Sequence, residues 1–420
     1  RDIERIVGTI FEEITAALDE NDEAPYGPAR VLRAEELVEA AAATGHRPVT
    51  VRALQDLIGV YQYTGESDRM LVPFARVLRM WDADPSDFDQ YANYRLHWHF
   101  KWVTSGMLSR PNVPLATIRR WLVEMETRYR QAGFTMYAVH DCQHSVASHL
   151  GDLAAAGQAF DRWLAAERDV MSDCHACSRN QEGGWHLQLG DDPAALAAWQ
   201  PVLDGELTCA EEPHRVLGRV LLPLVRLGRT AEARACHLRG YQMARRKPSL
   251  RRTIGYHIEF AALTGNEPRG LEILAEHAAW LVDRGENRSD RLDYLEGVAV
   301  LLRRLGALGR DDLPIATPQA TGPTTTVGQL AAAVEQEITD LGRQFDQRNA
   351  STSVSDGSRH RLDRAPLLAS LPLGIRARPL TGAGAGPIVG GGARPGASAL
   401  GAPAPDALAP TDVAALVDEA

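Results

Sequence analysis

The chain has 420 residues, of which 45% are hydrophobic and 24% charged, a balance typical of water-soluble globular proteins. Its formal net charge of −10 argues against general nucleic-acid binding, which needs a basic surface. No apolar run approaches the ~18 residues of a membrane span.

Helices alternate with short turns along most of the sequence. Residues 1–20 carry apolar side chains at helical spacing, and after a break at 21–28 a second helix begins near Leu32. No segment alternates apolar and polar residues as a half-buried strand would. We therefore predict an all-α fold.

Four glycines recur at intervals of 39, 38 and 37 residues, and each closes one predicted helix before the next begins. A small residue follows each glycine after five positions, and a mostly large side chain follows after nine. This spacing predicts helix pairs, because small residues let two helices approach and large ones fill the gap to the next pair. The positions are Gly151, Gly190, Gly228 and Gly265; Ala156, Ala195, Ala233 and Gly270; and Phe160, Trp199, His237 and Leu274.

This register resembles the tetratricopeptide repeat, whose consensus has a turn glycine, then alanine, then an aromatic residue at these offsets. The resemblance covers about residues 49–305, in units slightly longer than the usual ~34 residues. Cys174–Cys177, Leu207–Cys209 and Glu211–His214 also match Cys-x-Ala-Cys, Leu-Thr-Cys and Glu-x-Pro-His in an actinobacterial group of these proteins. The resemblance implies a right-handed α-solenoid over residues 1–310.

The composition changes after residue 310. Residues 311–325 are predicted to be a linker, and residues 326–348 an amphipathic helix with its apolar side chains on one face. Residues 349–420 are rich in Gly, Ala, Pro and Ser and are predicted to form a mostly disordered tail.

Residues able to bind a metal lie at the start of two consecutive repeats. The first repeat supplies Cys174 and Cys177, and the second supplies Cys209 and His214. The first helices of adjacent repeats lie side by side, so these residues are expected at similar heights. Three thiolates and one imidazole are a typical closed zinc set. We predict a structural Zn²⁺ that staples the two repeats.

Two other interpretations of these cysteines remain open. They could be ordinary buried small residues, since free cysteine is common in protein interiors. The Cys-x-x-Cys pair could instead be a redox motif, although such motifs usually follow a strand in a βαβ unit. An odd number of cysteines, five in all, favours a reducing compartment, so a cytoplasmic location is expected.

A second cluster of polar residues spans His140 to His149 and includes Cys142 and His144. Histidines four apart share a helix face, and a cysteine beside a histidine can form a nucleophile–base pair. This cluster, or the Cys174/Cys177 pair, provides the alternative hypothesis of a hydrolase or thiol-redox enzyme. A polar helix face is the simpler interpretation.

A repeat superhelix presents a long groove to extended peptides or helices. We therefore expect a non-enzymatic scaffold that binds another protein or peptide and makes no direct contact with nucleic acid. The groove residues predicted beside the zinc site are Arg179, Asn180, Arg215 and Arg219.

Overall fold

The structure is a computed structural model that describes residues 2–283, 285, 287–315 and 325–374. Within these residues the chain forms 19 α-helices, three 3-10 helices and one two-stranded β pair. The fold therefore belongs to the predicted all-α class. No helix in these ranges combines the length and the apolarity needed to cross a bilayer.

The helices follow one another with short connections. The first seven are α1 (Asp2–Glu23), α2 (Pro28–Ala43), α3 (Arg47–Thr64), α4 (Leu71–Ala83), α5 (Gln90–Leu108), α6 (Leu115–Gln131) and α7 (Tyr137–Leu150). The next six are α8 (Leu153–Ala165), α9 (His175–Gln188), α10 (Asp192–Leu203), α11 (His214–Arg219), α12 (Leu221–Arg226) and α13 (Thr230–Ala244). The last six are α14 (Arg251–Leu263), α15 (Glu267–Glu276), α16 (Ala279–Val282), α17 (Arg288–Ala307), α18 (Val327–Asn349) and α19 (Ser353–Leu362).

The shorter elements lie in the connections. The 3-10 helices are Ser67–Met70, Pro85–Asp87 and Pro248–Leu250, and the antiparallel strands are β1 (Pro314–Ile315) and β2 (Thr325–Thr326).

The recurring glycines lie where the sequence pattern predicts turns. Gly151, Gly190, Gly228 and Gly265 have φ angles of 77°, 77°, 75° and 70°, in the left-handed region that favours glycine. All eight residues five and nine positions after them are buried, including Trp199 at 0% exposure. The repeat spacing therefore marks helix ends and packing positions correctly.

Helices that are neighbours in the sequence pack in pairs, as α2 does with α3, α7 with α8, and α9 with α10. The first helices of successive pairs also contact one another, and these contacts join α3 to α5, α5 to α7, α9 to α11, α11 to α14, and α14 to α17. One large hydrophobic core lies in the N-terminal half and another in the C-terminal half, with a smaller aromatic cluster around Trp163 and Trp185.

The two ends of the helical array meet. The side-chain amide of Asn287 donates a hydrogen bond of 3.0 Å to Ser67, 220 residues earlier in the chain. The Arg348 guanidinium on α18 donates to the carbonyl oxygens of Leu108 and Arg110 at 3.3 and 3.2 Å. These contacts bring the helices from α3 to α17 around a common cavity.

The C-terminal region differs from the sequence prediction. The predicted helix at 326–348 corresponds to α18, which Thr326 caps together with Gln329. The predicted linker contains β1 and β2 at its two ends, and its residues 316–324 lie outside the described residues.

Residues 353–374, which are part of the predicted disordered tail, are folded onto the helical array. Helix α19 packs on α17 and α18, and the backbone N–H of Leu367 donates to Leu263 at 2.8 Å. The remainder of the predicted tail, residues 375–420, lies outside the described residues.

Candidate metal centre

Three cysteine side chains from neighbouring helix pairs meet in space. Cys174 immediately precedes α9, Cys177 lies in its first turn, and Cys209 lies between α10 and α11. Their Sγ atoms all lie within 4.8 Å of one another, and those of Cys177 and Cys209 are 3.6 Å apart. A tetrahedral ion with metal–sulfur bonds of about 2.3 Å requires sulfurs about 3.8 Å apart. The group can therefore hold a metal ion.

Local structure supplies hydrogen-bond donors to the three sulfurs. Cys174 is the N-cap of α9, and its Sγ accepts from the backbone N–H of Cys177 at 3.4 Å. The Sγ of Cys209 accepts from the backbone N–H of Glu211 at 3.4 Å, and Arg215 donates to the Sγ of Cys177 at 3.2 Å. A helix N-terminus and a guanidinium both favour thiolate over thiol, and thiolate is the form that binds metals.

The pKa values of the cysteine thiols are shifted by these contacts. Hydrogen bonds from the thiols of Cys177 and Cys209, aided by backbone N–H groups, lower the pKa of the Cys174 thiol far below its ordinary value. The same shared hydrogen bonds, together with burial, raise the pKa of Cys177. Cys174 is therefore the main acceptor in the hydrogen bonds that the thiols share.

His214, the fourth predicted ligand, lies outside this group. It is buried at the start of α11, and its Nε2 lies 2.9 Å from the ammonium of Lys247, which precedes α14. Burial and the Lys247 charge lower the pKa of His214, so the imidazole is neutral and accepts a hydrogen bond from the lysine. The structure thus joins His214 to the next repeat rather than to the thiols.

The predicted groove residues separate into two kinds. Arg179 is partly exposed and pairs with Glu182 at 2.7 Å. Asn180, 4% exposed, accepts a hydrogen bond of 3.0 Å from Arg219 through its side-chain oxygen. Three of the four predicted residues, Asn180, Arg215 and Arg219, line the wall beside the cysteines.

Glu212 is a site residue that the sequence reasoning missed. Its buried carboxylate accepts hydrogen bonds from Asn180 at 2.5 Å, from Arg215 at 2.9 Å and from the backbone N–H of Val216 at 3.1 Å. Burial raises the pKa of Glu212. An acidic residue directly before the N-cap Pro213 is a helix-start signal that could have identified it.

The three cysteines line a cavity of about 500 Å³ that is also lined by residues of α3, α5, α7, α9, α11, α14 and α17. Tyr63, Trp98 and Trp102 contribute an aromatic wall, with Tyr63 and Trp102 in edge-to-face contact at 5.8 Å. Asp141 lines the same cavity at 6% exposure, and its Oδ1 has no hydrogen-bond partner among the described residues. Burial, reinforced by the Asp173 carboxylate, raises the pKa of Asp141 to about 7.

The second predicted cluster, from His140 to His149, has contacts that differ from residue to residue. His140 faces Gln143 at 3.0 Å, His144 faces the carbonyl oxygen of Ala156 at 3.0 Å, and His149 faces Arg348 at 2.8 Å. Cys142 is buried, which raises the pKa of its thiol. Among the described residues, the three cysteines are the group placed to hold a metal ion.

No protein-family model matches the chain, and comparison with curated proteins finds no similar sequence. The resemblance to tetratricopeptide repeats therefore stays a prediction that rests on the repeat register and on the cysteine motifs.

Proposed function

We propose that the protein is a zinc-containing, non-enzymatic scaffold built as a right-handed α-solenoid of tetratricopeptide-like helix pairs. The observation that carries the proposal is the convergence of Cys174, Cys177 and Cys209. Sulfur spacing close to the tetrahedral value and an all-thiolate donor set favour Zn²⁺ over Mg²⁺ or Ca²⁺, which prefer oxygen ligands. Five cysteines without disulfides fit a reducing compartment such as the cytoplasm.

The ion would link two consecutive helix pairs. Cys174 and Cys177 belong to the pair α9–α10, whereas Cys209 belongs to the segment leading into α11. That segment, residues 204–213, contains no helix. Backbone hydrogen bonds tie its first residues to α10, as from Glu206 N–H to Pro201 at 3.0 Å, and the bond from Cys209 N–H to Glu212 at 3.1 Å lies within the segment itself. A metal bond there stabilises a loop that would otherwise cost conformational entropy to order.

The scaffold role is supported by the way the helical array holds α19. Arg361 of α19 donates to Glu259 at 2.9 Å and to Glu296 at 2.7 Å, so carboxylates of α14 and α17 fix a helix that follows them in sequence. A partner helix or peptide would be bound by the same kinds of contact. Arg179, which is accessible beside the metal centre, would pair with a partner carboxylate.

The test is the metal content of protein purified without an affinity metal, together with a thiol count before and after addition of a chelator. We expect one zinc per chain and three thiols that become reactive only after chelation. Cys142→Ser and Cys236→Ser serve as matched controls, since neither residue belongs to the three-cysteine group. A metal-free protein with the three thiols freely reactive would refute the proposed centre.

Thiol-redox chemistry is the second candidate, favoured by the 3.6 Å separation of Cys177 and Cys209. Transfer of two electrons and two protons from these thiols to an external disulfide or peroxide would join the two sulfurs. Attack by the Cys174 thiolate would then form a new disulfide with one of them and release the other as a thiolate. Mass spectrometry after mild oxidation of metal-free protein separates the two candidates. A reversible Cys177–Cys209 disulfide in protein that never retains zinc would favour redox chemistry.

A further inference from the structure

The metal centre has three protein sulfurs, and a tetrahedral ion needs four donors. Among the described residues, only the three cysteines have ligand atoms that lie close enough together to share one metal ion. His214, the predicted fourth ligand, has its Nε2 against Lys247 instead. Three protein ligands with one position left over is the arrangement of zinc sites that exchange a ligand, whereas purely structural sites are closed by four.

The remaining position has room for a molecule. Cys174, Cys177 and Cys209 all line the cavity of about 500 Å³, which falls within the usual size range of small-molecule pockets.

The charges around the cavity favour a neutral ligand. The lining contains equal numbers of basic and acidic side chains, four of each, so that it is close to neutral by itself. Three thiolates and a divalent ion add a net charge of about −1. An anionic fourth ligand would increase that charge, whereas a neutral donor would not. The side chains are Lys101, Arg215, Arg219 and Arg252, and Asp141, Asp173, Glu211 and Asp290.

The aromatic wall indicates which class of ligand fits the cavity. Trp98 and Trp102 lie 6.5 Å apart in edge-to-face contact, and Tyr63 lies against Trp102. The Lys101 ammonium lies 3.3 Å from the Trp98 ring centroid, and His99 stacks on Trp102 at 5.1 Å. The wall therefore accepts a flat ring by edge contact. A neutral azole ring offers a nitrogen lone pair to zinc, and imidazole nitrogen is a preferred zinc donor.

We propose that the fourth coordination position of the centre faces the cavity and binds a small molecule carrying an imidazole or similar azole ring. This inference rests on the proposed metal site. The metal centre would then be a ligand-exchange site inside the scaffold. Binding of a molecule in the cavity would change the coordination of the ion that joins the two helix pairs.

The experiment uses the full chain loaded with Co²⁺ in place of zinc, because the visible absorption of cobalt reports its donor set. Imidazole and azide are titrated separately as neutral and anionic probes. We expect saturable changes in the visible bands with imidazole, at a dissociation constant at least about fivefold below that of azide. That factor corresponds to the repulsion between two unit charges about 4 Å apart at the dielectric constant of water.

His214→Ala is the decisive companion variant. If the position is open, this variant has the same cobalt spectrum and the same imidazole affinity as the wild-type chain. A changed spectrum in His214→Ala, or no response of the wild-type chain to either probe, would mean that a protein group fills the position and would overturn the inference. Tighter binding of azide than imidazole would overturn the assigned ligand class.

The two proposals fail in different ways. Absence of cobalt uptake, judged by missing thiolate-to-metal charge-transfer absorption, would refute the metal centre itself. Uptake with that absorption but without a response to the probes would leave the metal centre intact and remove only the exchangeable position.

Discussion

Zinc-dependent stability is the sharpest consequence of the three-cysteine centre. We predict that Zn²⁺ stabilises the wild-type chain against unfolding and that Cys209→Ser abolishes this increment. Cys209 is the ligand contributed by the segment between α10 and α11, so its loss leaves two thiols on α9 alone. Two thiolates on one helix turn bind zinc far more weakly than a three-thiolate set that spans two helix pairs.

The magnitude follows from linkage and from the size of the folded region. Because the Cys177 and Cys209 sulfurs are 3.6 Å apart, little rearrangement is needed before the ion binds. At free zinc about 100-fold above the dissociation constant, binding adds about 2.7 kcal/mol to the free energy of unfolding. An unfolding entropy of about 2.1 cal/mol/K per residue over roughly 360 residues converts this to about 3.5 °C in melting temperature.

The assay is calorimetry at buffered free zinc and, separately, with chelator, on the wild type, Cys209→Ser and the control Cys236→Ser. Cys236 lies on α13 outside the group, so its variant should keep the full increment. The reasoning would be refuted by a zinc-dependent shift in Cys209→Ser equal to that of the wild type.

Three further predictions concern the framework around the site. Arg361→Met should lower the free energy of unfolding by about 3–5 kcal/mol, since it leaves Glu259 and Glu296 as buried carboxylates that have lost a partner. Urea unfolding checks this against Arg359→Ala, whose side chain is exposed; equal losses would contradict it. Gly297→Ala should cost about 1–3 kcal/mol, because a Cβ there would collide with the Gly255 backbone of α14, whereas Gly59→Ala has open space. Melting curves that do not differ between the two variants would argue against this packing. Burial lowers the pKa of His237 to about 3, so the unfolded chain gains a proton below about pH 6.5 that the folded chain does not. The free energy of unfolding should therefore fall from pH 6.5 towards pH 4. In His237→Phe its slope should be smaller by up to about 1.4 kcal/mol per pH unit. Urea-unfolding free energies that fall in parallel with pH in the two proteins would exclude the histidine as the cause.

The fold could be predicted from local signals in the sequence. Turn glycines such as Gly190 and Gly228 adopt the left-handed conformation because the end of a helix requires it there. A single glycine is therefore enough to predict where the helix ends. Small and large residues at fixed offsets, such as Ala195 and Trp199, predict burial because helix packing repeats with the chain. Local spacing likewise placed Cys174 and Cys177 on one helix turn.

The metal centre could be predicted only in part, because its geometry depends on side-chain directions between repeats. Sequence spacing places both Cys209 and His214 near α9. Only the folded structure shows that the Cys209 sulfur lies beside the other thiols, whereas His214 contacts Lys247. Glu212 beside them was missed for the same reason, since its partners Asn180 and Arg215 lie on two helices.

The sequence by itself determined that this chain forms paired helices and that three of its cysteines lie near one another. Only the tertiary structure decided that these thiols face a cavity and that α19, which follows the turn at residues 350–352, packs against the array. The physical reason is that helix formation and capping depend on neighbours within a few residues, whereas Arg361 meets Glu259 102 residues away.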